Sequence, residues 1–425
     1  MKLFNNYFDQ LATAIPLLMG EHGIPGFAIS VVDREGSIFS GAYGYTDTAK
    51  RTPVTSETVF SIQSISKTYT AFGFMLAVAA GKVSLDDPLK RIVPAFTVKH
   101  KDGNDYSGLI TFRHLLSHRS GLGHEAPIGN NFGYGPFTEH IASIYETYLR
   151  FKPNETYSYS NLGIDLVAYA LQEIMDMPFE SYMQQSVFTP LNMSRSTYNQ
   201  QQFLLNNDSA MGHDQQALAK FPVSMLGAGG MYACADDMAQ FVMCFLNGGF
   251  YEGQQLIDNV ILRKMYTEYS ASEEWRYQLG LGAELQQRRL LLNHNGGGFG
   301  FLGTQDILPE VELGAVALTN SVNHPAIQLL VCRNMWRDLL EMKDAGIVDC
   351  ERLDDHLERY IGLYEAQYNG GSHRLAVFPR NGGLFCKGQR LVYHSSGLFF
   401  TGENDCVEFT DDAMRFNYVL YQKIE

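Results

Sequence analysis

The sequence predicts an α+β chain that ends in a small antiparallel β-barrel or meander. Three observations carry this. GFAISVVDREGSIFSGAYGYTD reads as two strands around a turn at residues 33–36, with Val31 and Val32 on the first and Ile38 and Phe39 on the second. From about Ser84 to Tyr198 helical patterns dominate, as in ITFRHLLSHRSGL and LGIDLVAYALQEIM; from Gly227 to Asn320 strands return, and LLLNHNGGGFGFLGTQDIL and LGAVALTNS read as neighbours in one sheet. Beyond residue 356, RLAVFPRNGGLFCKGQRLVYHSSGLFFTG alternates apolar and polar residues between Gly-containing turns, the pattern of a β-module of about 70 residues.

Taken in order, Phe4, Phe8, Leu11, Ile15 and Leu18 recur at helical spacing and predict an amphipathic helix lying on the core. Asn5, Asn6, Asp9 and Gln10 interrupt any apolar run there, so this stretch reads poorly as a signal peptide. A helix is expected over residues 326–342. The charged stretch 341–356 reads as a domain boundary, giving units at 1–342, with a helical region at about 85–220, and at 355–425. With 425 residues the chain is long enough for two or three domains and a well-buried core. Its formal charge of 32 − 46 = −14 repels phosphate backbones, so nucleic acid is not an expected partner. No apolar run reaches the length of a membrane span. The six cysteines form no CxxC and fit no zinc site; buried reduced thiols and a cytoplasmic location are the expectation.

The chemistry begins in SIQSISKTYTAFGFMLAVAAGK, residues 61–82. Residues three apart on a helix share a face, so the Ser64 hydroxyl meets the Lys67 amine. A serine becomes a nucleophile when a neighbour takes its proton, and a desolvated lysine does so because burial lowers its pKa. The bland alternative is an N-cap serine beside a surface lysine, and an SxxK arises by chance on the order of once in such a chain. Tyr159-Ser160-Asn161 precedes a helix: Tyr159 is a candidate general base and Asn161 a candidate for holding a substrate amide and Lys67, against a loop tyrosine that merely packs. His294-Asn295-Gly296 stands on a strand followed by Gly297, Gly298 and Gly300. Such glycines mark a close approach by a backbone or ligand, and the strand edge is a candidate oxyanion-hole donor. The register excludes a GxGxxG dinucleotide loop, so no cofactor is expected.

These three motifs, in this order, resemble the serine β-lactamases and penicillin-binding proteins, and within them the class C β-lactamase and D-alanyl-D-alanine carboxypeptidase branch. IPGFAISVV, ITFRHLLSHRSGL, LGAGGMYACADDMAQFVMCFLNGG and LGAVALTNS extend the likeness over roughly residues 10–340. The resemblance implies an antiparallel sheet, built from the N-terminal strands and those after about Gly280, with helices on both faces and a helical region beside it. It implies that Ser64 is an acylated nucleophile, that Lys67 accepts its proton or holds the network, that Tyr159 acts as base and then as acid to the leaving group, and that Asn161 orients substrate and Lys67; which group takes the first proton stays open. It places the oxyanion hole at the Ser64 and Gly297 N–H groups and adds Asn295 and Gly296 to the substrate-binding strand. The module after residue 355, opened by YIGLYE, is similar to the lipocalin-like β-domain of some members.

His294 departs from the pattern, since the family usually has lysine there. A neutral imidazole binds a carboxylate less well, which points toward the family's esterases and aminopeptidase-like members. The expected activity is cleavage of a peptide, amide or ester through an acyl-enzyme. Acyl or peptidyl transfer (including cyclisation), β-lactam hydrolysis and a non-catalytic scaffold are the alternatives. His114, His118 and His124 lie close in sequence but lack an acidic third ligand; His118 and Arg119 are expected to cap a helix end. The Gly- and aromatic-rich stretch 121–137 is expected to line the pocket or run as a plain surface loop. The C-terminal module is expected to pack simply, to wall the cleft or to form a homo-oligomer interface.

Overall fold

The computed structural model describes residues 2–49, 51–129, 134–214, 216–220, 222–269, 276–286, 288–322, 326–340, 355–368, 371–380, 383–387, 389–395, 398–400, 406–410, 412–416 and 419–424. The expected boundary at 341–356 therefore lies almost wholly outside the described residues, as do Cys350 and residues 130–133 of the Gly-rich loop.

The chain opens with helix α1 (Lys2–His22), then strands β1 (Gly26–Val32), β2 (Ser37–Asp47) and β3 (Thr52–Pro53). After helices α2 (Ser66–Ala79), α3 (Phe112–Leu116), α4 (Phe137–Ile144), α5 (Asn161–Met175) and α6 (Ala235–Leu246) come β4 (Arg276–Tyr277), β5 (Gly282–Gln286), β6 (Arg289–Gly298), β7 (Phe301–Leu308), β8 (Leu313–Thr319) and helix α7 (Ile327–Leu339). The eight strands form one antiparallel sheet in the order β4-β5-β6-β7-β8-β1-β2-β3. Strand β8 thus returns beside β1, joining two ends of the sequence. Every residue of β1 and of β8 is buried, because helices cover both faces at the centre of the sheet.

One face takes α1 and α7. Phe8, Leu11, Ile15 and Met19 of α1 pack with Val331, Met335 and Trp336 of α7 on Phe27, Ile29 and Val31, the outcome that the helical spacing of the first twenty residues predicts. The other face takes α2 and α6, with Phe72 and Tyr69 against Phe241. At the 33–36 turn the Asp33 carboxylate accepts from the N–H groups of Glu35 and Gly36, which fixes the hairpin. Strands β6 and β7 are joined through Phe299 (φ +53°) and Gly300 (φ +85°), a tight turn in which both residues are left-handed.

The region 85–220 is less helical than expected. Short helices alternate with long irregular connections, because some of its apolar residues fill the core from loops: Val93, Phe96 and Leu122 are buried outside helices and strands. The C-terminal module is a closed eight-stranded barrel of β9 (Gly362–Tyr368), β10 (Gly371–Arg380), β11 (Gly383–Cys386), β12 (Gln389–Ser395), β13 (Leu398–Phe400), β14 (Cys406–Phe409), β15 (Ala413–Phe416) and β16 (Val419–Lys423). Strand β9 pairs with both β10 and β16, which removes the sheet edges. Its interior is apolar, and Tyr360 from the preceding turn packs on Phe399 and Phe409. Arg415 on β15 donates to the Tyr148 hydroxyl (2.6 Å), linking barrel to helical region. Cys234, Cys244, Cys332 and Cys386 are buried free thiols. Among the described residues no helix is long and apolar enough to cross a membrane.

Candidate active site

Three separate pieces of chain meet where α2 begins under β6. Ser64 lies in a 3-10 turn, residues 63–65, that runs directly into α2. The Ser66 hydroxyl ties this turn down, donating to the Gln63 carbonyl (2.5 Å) and accepting from Met231 N–H (3.1 Å). Gln63 holds a left-handed backbone at φ +51°, a conformation that costs about 1 kcal/mol or more outside glycine and that recurs where a site is held under strain.

Lys67 Nζ is 2.9 Å from Ser64 Oγ and 2.7 Å from the Ala228 carbonyl oxygen. The lysine is completely buried. Burial pushes its pKa down to about 7, against the opposing pull of Asp165 and then Glu125. Its ammonium also sits 4.7 Å from the centre of the Tyr159 ring. Nζ–H donates to both Ser64 Oγ and the Ala228 carbonyl oxygen, and burial favours loss of the Lys67 proton.

Tyr159 and Asn161 enter from the start of α5. The Ser160 side chain caps that helix, accepting from Gly163 N–H (3.1 Å), so the tyrosine and the asparagine leave the same turn. Asn161 Nδ2 lies 3.3 Å from His124 Nε2. No hydrogen bond joins Asn161 to Lys67 among those resolved; the side chain turns to His124.

His294 faces the cluster from β6. Its Nδ1–H donates to the Asn295 carbonyl (2.8 Å), which leaves Nε2 to accept from the Tyr277 hydroxyl (3.0 Å). Burial, and then Lys67, push its pKa down to about 3, so the ring is neutral across the physiological range. Both ring nitrogens are thus engaged within the protein, and His294 holds the Tyr277 hydroxyl. Asn295 is placed differently from its neighbour. Strand alternation puts it on the opposite face from His294, where its Oδ1 accepts from Thr304 (2.8 Å) beside the Asp306–Trp336 pair.

Gly296 approaches the turn before Ser64 so closely that a Cβ there would lie 2.1 Å from the Ile62 carbonyl oxygen. Strand β5 pairs with β6 only as far as Asn293, so the segment 294–298 runs along the Ser64 turn with no strand paired on that side among the described residues. Gly297 lies on this exposed edge, opposite Leu302 of β7. Gln63 also lines a small hollow of about 20 Å³, with Phe203, Leu218, Tyr232, Phe299 and Phe301 among its other walls.

Sequence reasoning missed four contributors. His118 does more than end α3. It is left-handed (φ +57°), its Nδ1 accepts from Ser160 N–H (3.2 Å), and its ring centre lies 4.4 Å from that of Tyr159 and 4.3 Å from that of Tyr277. Tyr277 is fully enclosed on a two-residue strand. Asp165 and His140 form a buried pair behind Ala228. Only Asp165 left a signal: it is the one charged residue in the run 162–171, one turn after Asn161. His114, by contrast, closes a capping box with Thr111.

An antiparallel sheet flanked by helices, with a serine and a buried lysine at the head of the central helix, defines the serine β-lactamase and penicillin-binding-protein-like superfamily. The family model described as "Beta-lactamase" matches residues 5–328, and the chain belongs to that family. It is 26% identical over 319 residues to the D-alanyl-D-alanine-carboxypeptidase/endopeptidase AmpH of Escherichia coli, covering 70% of this chain and 80% of that protein. It is 28% identical over 257 residues to "Beta-lactamase-like protein 4" of Dictyostelium discoideum, covering 56% of this chain; it spans only 45% of that relative's length. In fold it is similar to the octameric penicillin-binding protein homologue from Pyrococcus abyssi, with a TM-score of 0.70, 21% identity, and coverage of 97% of this chain and 99% of that one.

Proposed function

We propose that the protein is a serine acyl hydrolase that forms an acyl-enzyme on Ser64 and cleaves peptide, amide or ester substrates. The observation that carries this is the 2.9 Å approach of a fully buried Lys67 amine, with a pKa brought down to about 7, to the Ser64 hydroxyl. Lys67 accepts the hydroxyl proton as Ser64 Oγ bonds to the substrate carbonyl carbon. The N–H groups of Ser64 and Gly297 receive the developing oxyanion. Tyr159 passes the proton to the leaving group, and water then releases the acyl group. The free edge of β6 supports an extended acyl chain laid beside residues 294–298. The neutral His294 offers no cation to a substrate carboxylate, which favours substrates whose reacting end bears none and weakens the β-lactamase and carboxypeptidase readings.

The test is covalent capture. A fluorophosphonate is expected to give a single adduct on Ser64 by mass spectrometry, absent in Ser64→Ala. Lys67 must be the free amine to accept the proton, so the labelling rate should fall as pH drops below about 7. A folded protein that no fluorophosphonate or activated ester labels would be a scaffold of this fold.

A further inference from the structure

A carboxylate and an imidazole lie buried one residue beyond Lys67, and the acyl-transfer steps above make no use of them. Asp165, on α5, and His140, on α4, have side chains with no solvent exposure. Asp165 Oδ1 accepts from Ala228 N–H (2.9 Å), and Oδ2 meets His140 Nε2 (3.0 Å). His140 Nδ1 meets the Ile128 carbonyl oxygen (2.5 Å). Both ring nitrogens therefore face acceptors, which only an imidazolium satisfies. Burial opposes that charge, but Asp165 outweighs it and His140 is raised above its ordinary pKa. The chain of contacts runs from Ile128 through His140 and Asp165 to Ala228, whose own carbonyl receives Lys67.

We propose that the Asp165–His140 pair positions Lys67: it pins the Ala228 carbonyl that aims the amine at Ser64, and its net charge sets the pH at which that amine is freed. A neutral asparagine would suffice to hold Ala228 N–H. A buried ion pair costs desolvation of both partners, so its charge calls for a reason that the pinning alone does not supply. Asp165 is the largest influence keeping Lys67 protonated against burial; Glu125 is next. The other titratable groups facing the lysine are Tyr159, His118 and His294, and the two imidazoles are held neutral by burial. Around His140 the charged groups are Asp165 and Glu125. Both members are positioning residues, because neither touches the reacting atoms.

This inference rests on the reading of Lys67 as proton acceptor. The test is the pH profile of Ser64 labelling by a fluorophosphonate in the full chain, with melting temperature recorded for each variant. Asp165→Asn removes an anion and should move the midpoint of the acid limb down by about one pH unit, with a roughly tenfold lower plateau. His140→Gln leaves Asp165 uncompensated and should move the midpoint up. Asp165→Glu keeps the charge but displaces it, so the plateau should fall with the midpoint unmoved. It carries the test with His140→Gln if Asp165→Asn does not fold. Opposite shifts are not what structural damage produces. Midpoints of Asp165→Asn and His140→Gln that stay put or move together overturn the proposal, as does a His140→Gln midpoint that moves no further than that of Asp165→Glu. A wild-type protein that is never labelled on Ser64 would instead sink the acyl-enzyme reading.

Discussion

The catalytic cleft and the C-terminal barrel are built on opposite rules. Around Ser64 the chain buries a lysine, an ion pair and two imidazoles within a few ångströms of one another. The barrel interior holds Tyr364, Val377, Leu384, Leu391, Phe399, Val407, Phe409 and Met414, and no charged side chain is buried there among the described residues. Burying charge costs stability, so the first region accepts a penalty that the second avoids. The difference teaches where reactivity resides: a buried amine is a proton acceptor near pH 7 because its ammonium is poorly solvated, and the same desolvation makes it a weak point of the fold.

That contrast can be broken by exchanging the properties of the two regions. The largest effect is expected from Lys67→Met. It removes the proton acceptor and should lower the Ser64 labelling rate at least about a thousandfold. It should also raise the melting temperature. The folded-state pKa of Lys67 lies below its ordinary value, so the protein loses stability as pH falls toward about 7, and the variant's advantage should be full below that value and fade above it. Calorimetry across pH reads this directly; a variant less stable than wild type at pH 6 would contradict the cost assigned to the buried cation.

Phe399→Ala is the converse. It leaves a void among Tyr360 and Phe409 and should destabilise the barrel by about 3–5 kcal/mol, while Ser64 labelling of the folded protein stays within about twofold. Labelling that collapses with the barrel would make the module part of the active site. The smallest effect is expected from His294→Ala. It removes one hydrogen bond of the Tyr277 hydroxyl and should reduce turnover by about tenfold, unequally among substrates. An equal loss on every ester and amide, or none, would contradict a role in shaping the substrate-binding edge.

Much of this was legible in the sequence because its signals are local. The one-turn spacing of Ser64 and Lys67 needs only a helix, and the Asp33–Gly36 hairpin needs only its turn residues. Alternation in residues 374–402 identified the barrel strands, since side-chain direction repeats every two residues. Strand alternation could likewise have warned that Asn295 turns away from His294, but a motif read as a unit hides the parity of its members.

What the sequence determined by itself was which residue types stand one helical turn or one strand step apart. Tertiary structure decided the rest. It carried β8 beside β1 across 280-odd positions of chain, set Ala228 against the Lys67 amine, turned His118 into the tyrosine cluster and hid Asp165 with His140 behind the site. The physical reason is that desolvation and charge coupling depend on everything that surrounds a group, and those surroundings come from segments far apart in the chain.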